Sequence, residues 1–250
     1  MPAIKPSCPI YCRHLGTYLV VALAWMGCGR SAPGERSKTS DILFESAFDG
    51  PLDLRSDWII EGTGTAESAD GKLALKEYPD GEGVVAWLRQ RFPDSIAISF
   101  DLAFNNNRGI GVFFFAVNGP DGADPFEVSP ARTGAYDEYI RGSLDGYSLS
   151  LHRFWPDGRN NPGSNLRRNS GFHLLHTADP DPALESGRTY AIRITKNAGA
   201  ITVSVDGLVV HDAVDAGFGD PWTSGHVGFR LRGDHSCVMT IDNLRIERTG

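Results

Sequence analysis

The sequence predicts an all-β protein, a two-sheet antiparallel jelly-roll sandwich, on three observations. Short runs of β-forming residues recur along the chain between clusters of Gly, Asp, Asn and Pro, the residues that turn a backbone. No stretch carries sustained helical periodicity. Residues 95–104 alternate strictly, with Ile96, Ile98, Phe100, Leu102 and Phe104 on one face and Ala97, Ser99, Asp101 and Ala103 on the other, as in a strand with one buried face.

The elements follow in order. Ile42–Ser46 is the first predicted strand, and 58–61, 72–75 and 84–88 follow at short intervals, then 95–104. Ile110–Val117 is apolar on both faces, which predicts a central strand covered on both sides. Residues 118–146 break the pattern with an insertion containing Tyr136, Asp137, Glu138, Tyr139 and Arg141, and a long excursion of that content inside a compact domain points to function. Tyr147–Phe154 resumes as a strand, with Leu149 and Leu151 toward the core and Ser148, Ser150 and His152 on a polar face. A loop over 156–170, rich in Pro, Gly, Asn and Arg, leads to a strand at Phe172–His176. Thr189–Lys196, Ala200–Val205 and Leu208–Asp212 form a meander, turned by Asn197, Ala198 and Gly199 and then by Asp206-Gly207, a pair suited to a two-residue hairpin. Strands at 225–231 and 237–247 complete the set.

At 250 residues the chain holds one sandwich, placed at 41–250, behind a leader and a tether. In residues 1–28, Lys5 and Arg13 precede an apolar run from Leu15 to Met26, the pattern of an export signal; the run is shorter than the roughly 20 residues a membrane span needs. Gly27-Cys28 resembles a lipoprotein cleavage site, so Cys28 is the expected lipidation point, with a conventionally cleaved signal or a retained anchor as alternatives. Each sends the domain out of the cytoplasm, and the lipid anchor is the one membrane contact expected. Residues 29–40 read as a flexible linker. Cys8, Cys12 and Cys28 belong to the leader, which leaves Cys237 as a small buried hydrophobe and no internal disulfide. A formal net charge of −7 without a basic stripe argues against nucleic acid as a partner.

Two sets of segments carry a resemblance. Val205-Asp206-Gly207, the run from Gly225 to Phe229 and Ile241-Asp242-Asn243-Leu244-Arg245-Ile246 look like the concanavalin A-like lectin/glucanase sandwich. Tyr147–Trp155, followed by Asn165-Leu166-Arg167-Arg168-Asn169 and Gly171-Phe172-His173-Leu174, resembles the DUF1961 family over roughly residues 41–248. The resemblance implies an oligo- or polysaccharide ligand, with pectin-type chains among the candidates, bound on the concave face. Fold does not fix function, so activity rests on the residues themselves.

Sugars are held by aromatic faces and by planar polar side chains, with Arg added when the sugar carries a carboxylate. Ser150, Arg153, Trp155, Asn165, Arg168 and Asn169 are the expected ligand-binding set, walled by the 156–170 loop. Two enzyme classes stay open beside a non-catalytic glycan-binding module and a structural surface lipoprotein. A retaining hydrolase of this sandwich class would carry a Glu-x-Asp-x-Glu strand, which is absent; Asp137, Glu138 and Asp101 are the carboxylate candidates for a pair, and the first two, being adjacent, would point to opposite faces on a strand. A lyase would need Arg to neutralise a uronate and His or Tyr to move its α-proton, for which Tyr139, Tyr147, His152, Arg153 and Arg167 are the candidates, with His173 a further acid-base candidate. Tyr147 alternates with Leu149 and points to the core. No cofactor is expected apart from a structural Ca²⁺ shared by Glu45, Asp49 and Asp242, if first and last strands are neighbours.

Overall fold

The structure is a computed structural model that describes residues 41–128 and 132–250. The leader, the linker and Cys28 lie outside the described residues. Its strands are β1 (Ile42–Ser46), β2 (Trp58–Gly62), β3 (Gly64–Ala69), β4 (Lys72–Glu77), β5 (Val84–Leu88), β6 (Ile96–Phe104), β7 (Gly109–Asn118) and β8 (Asp145–Leu151). Then come β9 (Ser164–Asn169), β10 (His173–Ala178), β11 (Thr189–Asn197), β12 (Ala200–Val205), β13 (Leu208–Val214), β14 (His226–Gly233) and β15 (Val238–Arg248). Two antiparallel sheets result, one ordered β13-β12-β11-β6-β15-β4-β3 with β1 on β15, the other β10-β9-β8-β7-β14-β5-β2. The predicted all-β sandwich is the fold.

Period-2 patterning places the core between the sheets. In β6 the predicted face is the buried one, and Ile192, Ile194, Ile201 and Val203 meet Phe113, Tyr147, Leu149 and Phe229 from the opposite sheet. Burial of such side chains contributes about 1.5–3 kcal/mol each. Asp206-Gly207 makes the expected tight hairpin: Val205 pairs Leu208, and both turn residues have positive φ, 51° and 80°.

Where alternation slips, a bulge is responsible. β15 carries one extra residue against β6 between Asp242 and Arg245, with Asn243 at φ 48°, so Ile241 and Leu244 both reach the core. The Asn243 Nδ2 donates to Asp101 Oδ2 at 2.8 Å, and Asp242 Oδ1 accepts from the Asn243 backbone N–H. β1 does pair β15, as the calcium expectation required. Yet among the described residues no three His, Cys, Asp or Glu side chains gather where an ion could sit, so Glu45, Asp49 and Asp242 are not brought together as a ligand set.

Three elements differ from expectation. The predicted loop over 156–170 ends in a strand, β9, because Leu166 is drawn into the core and the backbone is zipped between β8 and β10. Gly64–Ala69 forms β3 despite little β-forming character, paired along its length with β4. Among its described residues the insertion contains a 3-10 turn at Pro120–Gly122 and two α-helices, α1 (Pro125–Val128) and α2 (Tyr136–Ile140), each too short to show a period.

That insertion explains why β7 is apolar on both faces. Phe113 and Phe115 enter the core, while Val112, Phe114 and Val117 point outward and are covered by Tyr139, Ile140 and Leu144. Trp87 of β5 completes this outer cluster, stacked on Phe114 at 5.2 Å. Its ring lies across Gly228, where a Cβ would come within 2.3 Å of it.

Candidate functional site

Beside the outer apolar cluster, on the same face of the seven-stranded sheet, the insertion leaves a hollow of about 650 Å³. Its floor is made by outward residues of adjacent strands: Ile110 and Val112 on β7, Ser150 on β8, Asn165 and Arg167 on β9, Arg230 and Arg232 on β14. Tyr136, Asp137, Ile140 and Arg141 of the insertion form one wall, Phe172 another, and Arg153, Trp155 and Asn161 from the β8–β9 connection a third. Glu82 stands at the rim.

Three arginines define the chemistry. Arg230 is buried on β14; its Nε and Nη2 donate to the Gly134 carbonyl at 3.2 and 2.8 Å, and Nη2 to the Glu82 carbonyl at 2.7 Å. Its guanidinium lies 5.0 Å from the centre of the Tyr136 ring. Gly134, at φ 99°, has no room for a Cβ, so its carbonyl can be presented this closely. Arg167 lies flat on Phe172, 3.9 Å from the ring centre, and donates to the Phe172 carbonyl at 3.1 Å. Arg153 donates from Nη1 to the Pro162 and Gly163 carbonyls, both at 2.7 Å.

Among the described residues none of these three forms an ion pair with a carboxylate. Burial pushes all three below the usual guanidinium range, Arg230 to about 10, which is still well above neutral pH. Tyr136 lies close enough to Arg230 and Arg167 for both to pull its pKa down, yet burial dominates and leaves it above the ordinary tyrosine value. It is a neutral phenol at the side of a cationic hollow. Guanidiniums partly withdrawn from water and bonded to carbonyls retain strong attraction for an anion, and their forked donors match a carboxylate.

The structure brings five expected residues to this hollow: Ser150, Arg153, Trp155, Asn165 and Arg167. Six others lie elsewhere. His152 does not share the face of Ser150; its φ of 52° turns it inward, where it is fully buried, stacked 4.0 Å from Phe104, its nitrogens facing the Ala183 and Asn106 carbonyls. Burial pushes its pKa down, and its place in the core, away from the hollow, takes it out of reach of a ligand there. His173 stacks on Phe218 at 4.3 Å, and its strand partner is Arg168, not Arg167. Tyr139 lies beneath the hollow, packed on Trp87 and Phe114, with its phenol 3.4 Å from Glu61. Glu138 faces away from the hollow, accepting from the Thr133 backbone N–H and hydroxyl.

Arg168 belongs to a buried network on the face of β9 opposite Arg167, and Asn169 joins it through its backbone carbonyl. Arg168 pairs with Asp215, donates to the Asp220 carbonyl at 2.9 Å and lies 4.6 Å from the Trp222 ring. Asp215 also accepts from the Tyr147 hydroxyl at 2.7 Å, and the Asn169 carbonyl accepts from Trp222 Nε1 at 2.8 Å. Glu82, Tyr136, Arg230 and Arg232 were not among the expected site residues. The last two had a signal, since Phe229 and Leu231 alternate inward and so aim Arg230 and Arg232 out of the sheet.

Comparison with known proteins places the chain among bacterial relatives. The uncharacterized protein YesU of Bacillus subtilis (strain 168) is 33% identical over 199 residues, spanning 77% of this chain and 90% of that one. A crystal structure of a protein of unknown function with a galectin-like fold from Bacillus subtilis superposes with a TM-score of 0.74 at 28% identity, covering 83% of this chain and 96% of the other. The carbohydrate binding module CBM66 from Bacillus subtilis shares the fold with a TM-score of 0.51 at 13% identity, covering 77% and 96% of the two chains. A family model described as a domain of unknown function matches residues 41–236, and on that match and the identity with YesU the chain belongs to the DUF1961 family.

Proposed function

We propose that this protein binds an acidic carbohydrate in the arginine-lined hollow, the carboxylate being held by Arg153, Arg167 and Arg230. The observation that carries the reading is three guanidiniums around one hollow, none of them in an ion pair with a carboxylate among the described residues. Trp155, 45% exposed at the rim, offers a face on which a sugar ring can stack. Asn161, Asn165 and Ser150 supply donors and acceptors for hydroxyls. A volume of about 650 Å³ lies within the range of small-molecule sites. The fold shared with the carbohydrate binding module CBM66 agrees with this reading.

Titration calorimetry with oligogalacturonates and their carboxyl-reduced counterparts tests it. The acid form binds, the reduced form loses at least tenfold, and affinity falls with added salt. Equal binding of both forms refutes the proposal.

Cleavage by β-elimination is a second reading, favoured by Tyr136. Its neutral phenol stands beside the arginines that would hold a uronate, suited to protonating the leaving oxygen, with the Asp137 carboxylate on the same wall as the base that takes the α-proton. Absorbance near 235 nm, roughly where unsaturated uronates absorb, reports it. A stable baseline with tight binding rejects the lyase and keeps the binder. Export through residues 1–28 is part of the proposal, and peptide mass spectrometry of the membrane fraction tests it: Cys28 is acylated, whereas a mature chain starting at Met1 refutes it.

A further inference from the structure

A second hollow, of about 260 Å³, adjoins the first. Its walls are Tyr78 to Gly81 from the β4–β5 connection, Pro156, and the β14–β15 connection at Asp234 and His235. Three places stitch the two together. Arg232 lines both; Glu82 follows Gly81 in sequence; and Pro156 follows Trp155, one residue of each pair in each hollow. The two form one groove across the end of β14.

Their charges differ. Arg232, at the seam, is neutralised by an ion pair with Glu77, whose other oxygen accepts from the Gly233 N–H at 2.7 Å. Asp234 is paired with Arg108. Asp80 forms no ion pair among the described residues. The second hollow therefore offers no unpaired arginine or lysine and one unpaired carboxylate, a setting that repels a second uronate. Tyr78, 54% exposed, gives it a broad apolar face, with Pro79 and Pro156 beside it.

We infer that the second hollow is a further sugar subsite that takes a neutral residue next to the acidic one, so that the ligand is a chain in which acidic and neutral sugars are neighbours. This rests on the acidic-carbohydrate reading of the first hollow. The uronate lies among Arg153, Arg167 and Arg230, the chain passes Arg232, and the neutral ring stacks on Tyr78.

The test is calorimetry with galacturonate alone and two probe series of two, four and six sugars: homogalacturonate oligomers, and pectin-backbone oligomers in which galacturonate alternates with neutral rhamnose. The alternating dimer binds about tenfold tighter than galacturonate, the upper end of what one stacked ring contributes, and digalacturonate gains less. Tyr78→Ala removes that gain and leaves the affinity for galacturonate alone unchanged, whereas Arg167→Ala weakens every probe. An alternating dimer that binds no tighter than galacturonate, or a gain untouched by Tyr78→Ala, overturns the second subsite and leaves the first hollow's assignment standing. Absence of binding by every acidic probe overturns both.

Discussion

Replacing Arg168 by Met should damage the fold and spare the ligand. The arginine side chain is 5% exposed and Asp215 is 0% exposed, so the variant strands a carboxylate whose remaining side-chain partner among the described residues is the Tyr147 hydroxyl. Removing one member of a buried ion pair costs about 3–5 kcal/mol, because the survivor keeps its desolvation penalty without its attraction. For a domain of this size each kcal/mol lowers Tm by about 2–4 °C, giving a loss of about 6–20 °C. Scanning calorimetry on Arg168→Met, Asp215→Leu and the double variant separates the pair from its parts. The double variant should recover a large share of the loss, since no unpaired charge remains. An Arg168→Met protein that melts within about 2 °C of the parent, yet loses affinity for acidic oligosaccharide, would place Arg168 in the binding site and refute its structural role.

Two further outcomes follow from buried groups. His211 is fully buried with Nδ1 3.0 Å from His176 Nδ1, and burial lowers its pKa to about 4 against 6.5 for an ordinary histidine. The unfolded chain therefore binds more protons between those values, so stability is full above about 6.5 and is lost as pH falls toward 4; His211→Gln should flatten Tm against pH across that window, and an unchanged slope rejects the assignment. Burial pushes the Cys237 thiol up to about 12, so peptide-level mass spectrometry after iodoacetamide should find Cys237 unmodified in the native protein and alkylated in denaturant; native labelling would contradict its placement.

The sandwich was legible because its information is local. Alternation in 96–104, the Asp206-Gly207 turn and the doubly apolar β7 each specify backbone or burial within ten residues. The site was half legible for the same reason. Ser150, Arg153, Trp155, Asn165 and Arg167 sit close together in sequence, and parity along β8 and β9 points the strand members outward. His152 went wrong by parity too, since a positive φ after Leu151 reverses the face and nothing in the residue types announces it. Arg167 and Arg168 look alike in sequence, yet one points to the hollow and its neighbour to Asp215, 47 positions away. Arg230 joins the site only through the β7–β14 pairing, a long-range event.

The insertion between β7 and β8 rests on its own apolar cluster, with the sheet separating it from the main core. Side chains on either side of that sheet share few neighbours, so their substitutions should combine almost independently. Tyr136, Asp137 and Arg141 can accordingly be exchanged as a cassette, retuning which ligand the hollow accepts while the scaffold beneath keeps its architecture. A graft of this segment from one relative onto another offers a compact route to altered selectivity.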